Sequence, residues 1–299
     1  MSAPQTLPDV PAHVGVIGGG RMGAGIAHAF LMAGGRVTIV ERDDDAAAAA
    51  GDRVHAMVAR AVASGTPGDP EAARPATPDP AAILARLITG TDATLLVDAG
   101  LVIEAVPEDR SLKAATLARA EQAAPGAVLA SNTSSISIDA LARDLARPER
   151  FLGLHFFNPV PASLLVEVVE GTVTDPRVRD AAAGWVQTLG KQAIVVRDSP
   201  GFASSRLGVA LALEAIRMLE DGVAGAADID AAMELGYRHP VGPLRTTDLV
   251  GLDVRLAIAE ELAATLSERF TPPQLLRDLV AAGRLGRKTG HGFYEWSGS

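Results

Sequence analysis

Up to residue 198, apolar runs short enough to be strands alternate with longer stretches of helical spacing. The runs at 12–17, 36–40, 99–106, 128–131 and 192–196 read as strands. The Ala-rich stretch 43–63 and the stretches 111–124, 138–145 and 176–189 read as helices, with Asp109 or Ser111 as the cap of the second. Strands alternating with helices predict an α/β domain with a largely parallel sheet. Residues 65–80 are rich in Pro and Gly and read as an irregular loop. Asp198-Ser-Pro-Gly201 breaks the pattern, and beyond it the spacing is helical throughout, at 202–221, 228–235, 249–266 and 272–281. The expected organisation is an α/β N-terminal domain at 1–198 and an all-α C-terminal domain at 199–299.

The stretch 151–171 stands apart, because two apolar runs flank a Pro-rich turn and each carries a titratable group. In the second run Leu165, Glu167 and Val169 share one face, opposite Leu164, Val166 and Val168. A carboxylate among apolar neighbours needs a partner. His155 and Glu167 each lie six residues from Pro161. If the turn folds the runs side by side, the two residues face one another. A carboxylate fixes the tautomer of its histidine and favours the protonated ring, which suits a proton acceptor near neutral pH. The same pair also reads as a core histidine with a structural acid.

A second pattern opens the chain. Gly18, Gly20 and Gly23 fit G-x-G-x-x-G around Arg21 and Met22, after an apolar strand and at the start of a helix. The glycines allow a tight turn, a close backbone approach to a pyrophosphate, and close packing of helix on strand. The next strand ends at Glu41, 23 residues after Gly18. An acid there accepts hydrogen bonds from ribose hydroxyls and repels a 2′-phosphate, which points to NAD as cofactor. Arg21 and Arg42 lie close enough in sequence to act in the opposite sense. This context makes the N-terminal domain Rossmann-type. Ser131-Asn-Thr-Ser134-Ser135 follows a short strand and offers more hydroxyls than one helix cap needs.

Composition narrows the function classes. Lys plus Arg is 27 against 36 Asp plus Glu, a formal charge of −9, which disfavours non-specific nucleic-acid binding. With no cysteine there is no disulfide, thiolate metal site or thiol nucleophile. No metal-ligand pattern is visible. The polar, Pro-rich residues 1–11 lack a secretory layout, and no apolar run is long enough to span a bilayer. A cytoplasmic protein is expected, with no membrane or nucleic-acid partner.

His155-Phe-Phe-Asn158-Pro-Val-Pro161 followed by Leu165-Val-Glu167-Val resembles the signature of the L-3-hydroxyacyl-CoA dehydrogenase family. Residues 233–236, Pro240-Val-Gly-Pro243 and Leu285-Gly-Arg-Lys288-Thr-Gly290-His-Gly-Phe-Tyr294 are similar to it as well. The 3-hydroxybutyryl-CoA dehydrogenases are the nearest members by length and layout. The resemblance implies NAD-dependent interconversion of an L-3-hydroxyacyl-CoA and its 3-keto form. It makes His155 the general base, oriented by Glu167, and has Ser134 hydrogen-bond the substrate's C3 oxygen. Asn158, Glu108 and Lys113 would lie near the nicotinamide and its ribose, and Lys288 would touch NAD. It further implies a homodimer formed through the helical domain. Read without the resemblance, Glu108 and Lys113 are a capping acid and a helix lysine. Two departures stand out. The family's CoA-contacting Ser and Lys have no match near 43–63, and Ser205 occupies the place of an asparagine that positions the substrate carbonyl. Two alternatives stay open. One is a dehydrogenase of a non-CoA or carrier-bound hydroxy acid, and the other is an NAD-binding protein with weak or no turnover.

Overall fold

The computed structural model describes residues 10–64 and 79–296. The expected loop therefore lies outside the described residues as far as 78, and so do 1–9. By its internal contacts the chain divides into two units, one ending at Asp198 and the other beginning at Ser199.

The first unit is built on an eight-stranded sheet in the order β3-β2-β1-β4-β5-β6-β7-β8. Its strands are β1 (His13–Ile17), β2 (Arg36–Val40), β3 (Leu87–Gly90), β4 (Leu101–Glu104), β5 (Val128–Ser131), β6 (Phe151–Phe156), β7 (Leu165–Glu170) and β8 (Gln192–Arg197). Neighbours run parallel except β6 and β7, which are antiparallel. Every residue of β4, β5 and β6 is buried, as expected for strands covered on both faces. The covering helices are α1 (Arg21–Met32), α2 (Asp44–Ser64), α3 (Pro80–Leu84), α4 (Arg110–Ala123), α5 (Ile138–Ala142) and α6 (Pro176–Thr188). Strand order reverses at β1, which has β2 on one side and β4 on the other. The crevice beyond the carboxyl ends of such strands is where open α/β sheets bind ligands.

The second unit holds α7 (Ser204–Glu220), α8 (Ala226–Tyr237), α9 (Pro243–Val250), α10 (Leu252–Thr265) and α11 (Gln274–Ala281). Val209, Leu213, Ile216, Leu244, Leu252 and Leu262 form the centre of its core. The α/β unit followed by a helical unit is the expected fold class.

Local differences from the sequence reading have identifiable causes. The single helix expected at 249–266 is broken at Gly251, whose φ of 108° lies outside the helical region and ends α9 before α10 begins. β3 and α9 are too short to show a period in the sequence. The helix expected at 138–145 has its α-helical part confined to Ile138–Ala142. Asp109, rather than Ser111, caps α4 by accepting from the Leu112 N–H. Leu164 stands just before β7 and is exposed.

Candidate active site

The glycine turn between β1 and α1 is shaped for a dinucleotide. Gly18 has φ +93°, and a Cβ there would sit 2.9 Å from the Ala105 carbonyl oxygen. A Cβ on Gly23 would lie 1.7 Å from the Gly18 carbonyl oxygen, so α1 can approach the turn only with glycine at that position. A Cβ on Gly20 would meet nothing within 4 Å, because this residue faces open space at the helix N-terminus. No side chain caps α1, so its first-turn N–H groups are left to a ligand. In front of them lies a cleft of about 920 Å³ whose lining includes Gly18, Gly20, Arg21, Met22, Glu41 and Val106.

Glu41 ends this cleft's β2 side. Its carboxylate accepts from the Gly19 N–H at 2.6 Å and stays half-buried at the rim, where a ribose would reach it. Arg42 is turned to Asp43 at 2.9 Å, and Arg53 donates to the Gly19 carbonyl at 3.2 Å. The residues present therefore fit NAD, with a carboxylate where the adenosine ribose would lie.

β6 and β7 bring the expected pair together. His155 is the register partner of Glu167, and Nδ1 lies 2.7 Å from Oε2. Glu167 is fully buried and His155 is 6 % exposed. With Nδ1–H donated to Glu167, Nε2 is the basic nitrogen. The ring rests against Phe157 at 4.4 Å between centroids.

The hydroxyl-rich turn after β5 converges on Glu108. Oε1 accepts from Thr133 Oγ1 (2.6 Å), the Ser134 N–H (2.8 Å) and the Ser135 N–H (3.1 Å), and is also met by Ser134 Oγ at 3.2 Å. Burial alone would raise the Glu108 carboxyl. The Lys113 ammonium, the Thr133 hydroxyl and the Ser134 N–H outweigh it and hold the group below the usual carboxylate range. Lys113, a helix lysine on the sequence alone, is 1 % exposed. Its Nζ meets Glu104 Oε1 at 2.8 Å, the Val106 carbonyl at 3.1 Å and Glu108 Oε2 at 3.3 Å. Glu104 carries no motif in the sequence. The only signal was an acid ending an apolar strand nine residues before a lysine.

Asn132 ties this turn to the histidine strand, its Oδ1 accepting from the N–H of Phe156 at 2.9 Å. Asn158 is exposed in the β6–β7 turn. That turn is held by Lys191, which donates to the Val160 carbonyl at 2.6 Å and the Ser163 carbonyl at 2.5 Å. Burial lowers the Lys191 pKa. Two expected site residues belong to the second unit. Ser205 lies half-buried in the first turn of α7, and Lys288 pairs with Asp253 at 2.6 Å.

The family model "3-hydroxyacyl-CoA dehydrogenase, NAD binding domain" matches residues 13–199, and "3-hydroxyacyl-CoA dehydrogenase, C-terminal domain" matches 201–296. A 3-hydroxybutyryl-CoA dehydrogenase of Mycobacterium tuberculosis is 42% identical over 294 residues, covering 97% of this chain and 100% of that protein. The mitochondrial hydroxyacyl-coenzyme A dehydrogenase of Rattus norvegicus is 39% identical, covering 95% of this chain and 91% of its own. The crystal structure of an (S)-3-hydroxybutyryl-CoA dehydrogenase from Ralstonia eutropha superposes with a TM-score of 0.89 at 38% identity, covering 96% of this chain and 100% of that one.

Proposed function

Because the chain belongs to the 3-hydroxyacyl-CoA dehydrogenase family, an NAD-dependent oxidoreductase family, we propose that it interconverts a short L-3-hydroxyacyl-CoA and the 3-ketoacyl-CoA. The observation that carries this reading is the His155–Glu167 pair, buried at 2.7 Å in the same sheet whose β1–α1 turn fits a dinucleotide.

Bound NAD supplies the hydride acceptance. The alcohol's hydroxyl proton then needs a separate acceptor, and His155 takes it at Nε2. Glu167 keeps Nδ1 protonated and stabilises the imidazolium, and in the reductive direction the same nitrogen returns the proton. Ser134 donates to the C3 oxygen once its hydroxyl turns from Glu108. Asn158 would hold the nicotinamide side and Lys288 would touch NAD, each as the family resemblance implies.

A specific feature favours a CoA carrier despite the unmatched Ser and Lys. A concavity of about 500 Å³ on α1 and α2 is lined, among the described residues, by Arg21, Arg53 and Arg60 with one carboxylate, Asp52. Guanidinium groups in excess suit the carrier's phosphates. The relatives' names point the same way, toward 3-hydroxybutyryl-CoA. The reading includes a homodimer through the helical unit, where Leu207, Leu235 and Tyr237 are exposed large apolar side chains.

The test is oxidation of NADH with acetoacetyl-CoA, run beside NADPH and beside a ketone that is not a thioester. The expected result is turnover of the thioester with a clear preference for NADH. NADH binding without turnover of that thioester would favour a non-CoA or carrier-bound substrate. No hydride transfer across a broad panel would favour the non-catalytic reading that Ser205 permits.

A further inference from the structure

We propose that Glu104 is a positioning residue for the nicotinamide end of the site, acting through Lys113. The inference rests on the NAD-binding cleft and not on the identity of the acyl carrier.

Glu104 is the last residue of β4, in register with Ile17 at the end of β1 and Ser131 at the end of β5. It therefore stands between the glycine turn and the hydroxyl turn. It is fully buried, and both oxygens are used. Oε1 accepts from Lys113 Nζ at 2.8 Å and the Val106 N–H at 2.7 Å, and Oε2 accepts from Ser131 Oγ at 2.6 Å. Lys113 in turn donates to the Val106 carbonyl at 3.1 Å. The pair thus grips both backbone groups of Val106, and Ala105, Val106 and Pro107 line the cofactor cleft.

The remaining contact of Lys113, with Glu108 Oε2 at 3.3 Å, aims the Glu108 carboxylate at the Ser134 turn. The Glu104 main chain adds a second route, its carbonyl accepting from the Asn132 N–H at 2.8 Å. The Asn132 side chain then holds Phe156, next to His155. Packing alone does not call for this arrangement. Well-packed apolar residues would fill the same space at no loss of stability, whereas a buried ion pair must offset the desolvation of both charges. Lys113 is sealed from solvent with its three donors occupied, so its influence on the cofactor passes through Val106 and Glu108.

The experiment is a fluorescence titration with NADH, which needs no acyl substrate and so succeeds or fails independently of the substrate assignment. Glu104→Gln keeps the shape and removes the charge. It is expected to raise the NADH Kd by about tenfold or more, the scale of a displaced positioning group, and Glu104→Asp to recover part of the loss. Lys113→Met is expected to weaken NADH to a similar degree, and adding Glu104→Gln to it to change nothing further, because the two act as one unit. A role in stability alone would lower Tm and leave Kd unchanged well below it. Should Glu104→Gln fail to fold, the double variant, in which neither charge is stranded, carries the comparison with Lys113→Met. A Kd within about twofold of wild type for Glu104→Gln or for Lys113→Met overturns the proposal, as does a further loss on adding Glu104→Gln to Lys113→Met.

Discussion

His155 and Glu167 were legible in the sequence because they belong to one hairpin. Only the turn's midpoint was needed to set them opposite one another, and the register has that symmetry. The pairing of Glu104 with Lys113 was not legible, although the resemblance singled out Lys113 itself. The two meet where a strand end faces a crossover helix, and no sequence period spans that crossing. The function assigned to His155 makes a sharp demand. Replacing it by Gln is expected to lower kcat by about two to four orders of magnitude while leaving NADH affinity near wild type, measured by steady-state kinetics beside a binding titration. A kcat close to wild type would remove His155 from the reaction. A different histidine sets an acid limit. His28 on α1 is 6 % exposed, and neither ring nitrogen has a hydrogen-bond partner among the described residues. Burial first, and then the charge of Lys191, lower its pKa in the folded protein. The unfolded chain then binds more protons, so the stability is complete above the ordinary histidine pKa of about 6.5 and is lost as pH falls below it. Thermal unfolding between pH 7.5 and pH 5 should show Tm falling, and the slope should be shallower in His28→Leu. Some slope should persist, because burial and Arg36 also lower the pKa of His13.

Among the elements, the C-terminal tail shows how a sequence signature can be structural as well as functional. Its glycines and aromatics wrap one carboxylate. Asp248, 1 % exposed near the end of α9, accepts from the Phe293 N–H at 2.9 Å, the Tyr294 N–H at 3.0 Å and Trp296 Nε1 at 2.8 Å. A Cβ on Gly292 would sit 2.2 Å from that carboxylate, so glycine is what lets the tail approach. Asp230 on α8 takes the Tyr294 hydroxyl at 2.7 Å, and burial together with this bond raises the Tyr294 pKa well above its ordinary value. Arg245 stacks over the Tyr294 ring at 4.2 Å. The resemblance marked this tail as a signature, but the sequence could not show that α9, itself unread, supplies the anchor. Removing the carboxylate strands three donors. Asp248→Ala is therefore expected to cost about 3 kcal/mol or more, and Asp248→Asn, which keeps one acceptor, less. Denaturant unfolding of the two variants measures this, and equal, small losses would mean that the tail is held by its aromatic contacts instead.

For the whole molecule, the remaining question is what covers the apolar side chains left outside both cores. Leu207 is 71 % exposed on α7, while Leu235 and Tyr237 on α8 are 84 % and 75 % exposed. A formal charge of −9 favours solubility and gives no reason for large apolar groups at the surface. Single exposed leucines are ordinary, but several on neighbouring helices of one unit are what a subunit contact needs. A twofold contact uses the same patch on both copies, so each substitution would act twice in the proposed dimer. Because the side chains are exposed in the single chain, replacing them removes little from its own core. Leu207→Glu combined with Leu235→Glu is therefore expected to leave the far-UV spectrum unchanged and to shift the sedimenting species from dimer to monomer. Two copies of each new carboxylate buried in one contact cost more than an ordinary interface tolerates. A wild-type protein that sediments as a monomer at every concentration would refute the dimer. A double variant that stays dimeric would place the contact on another face.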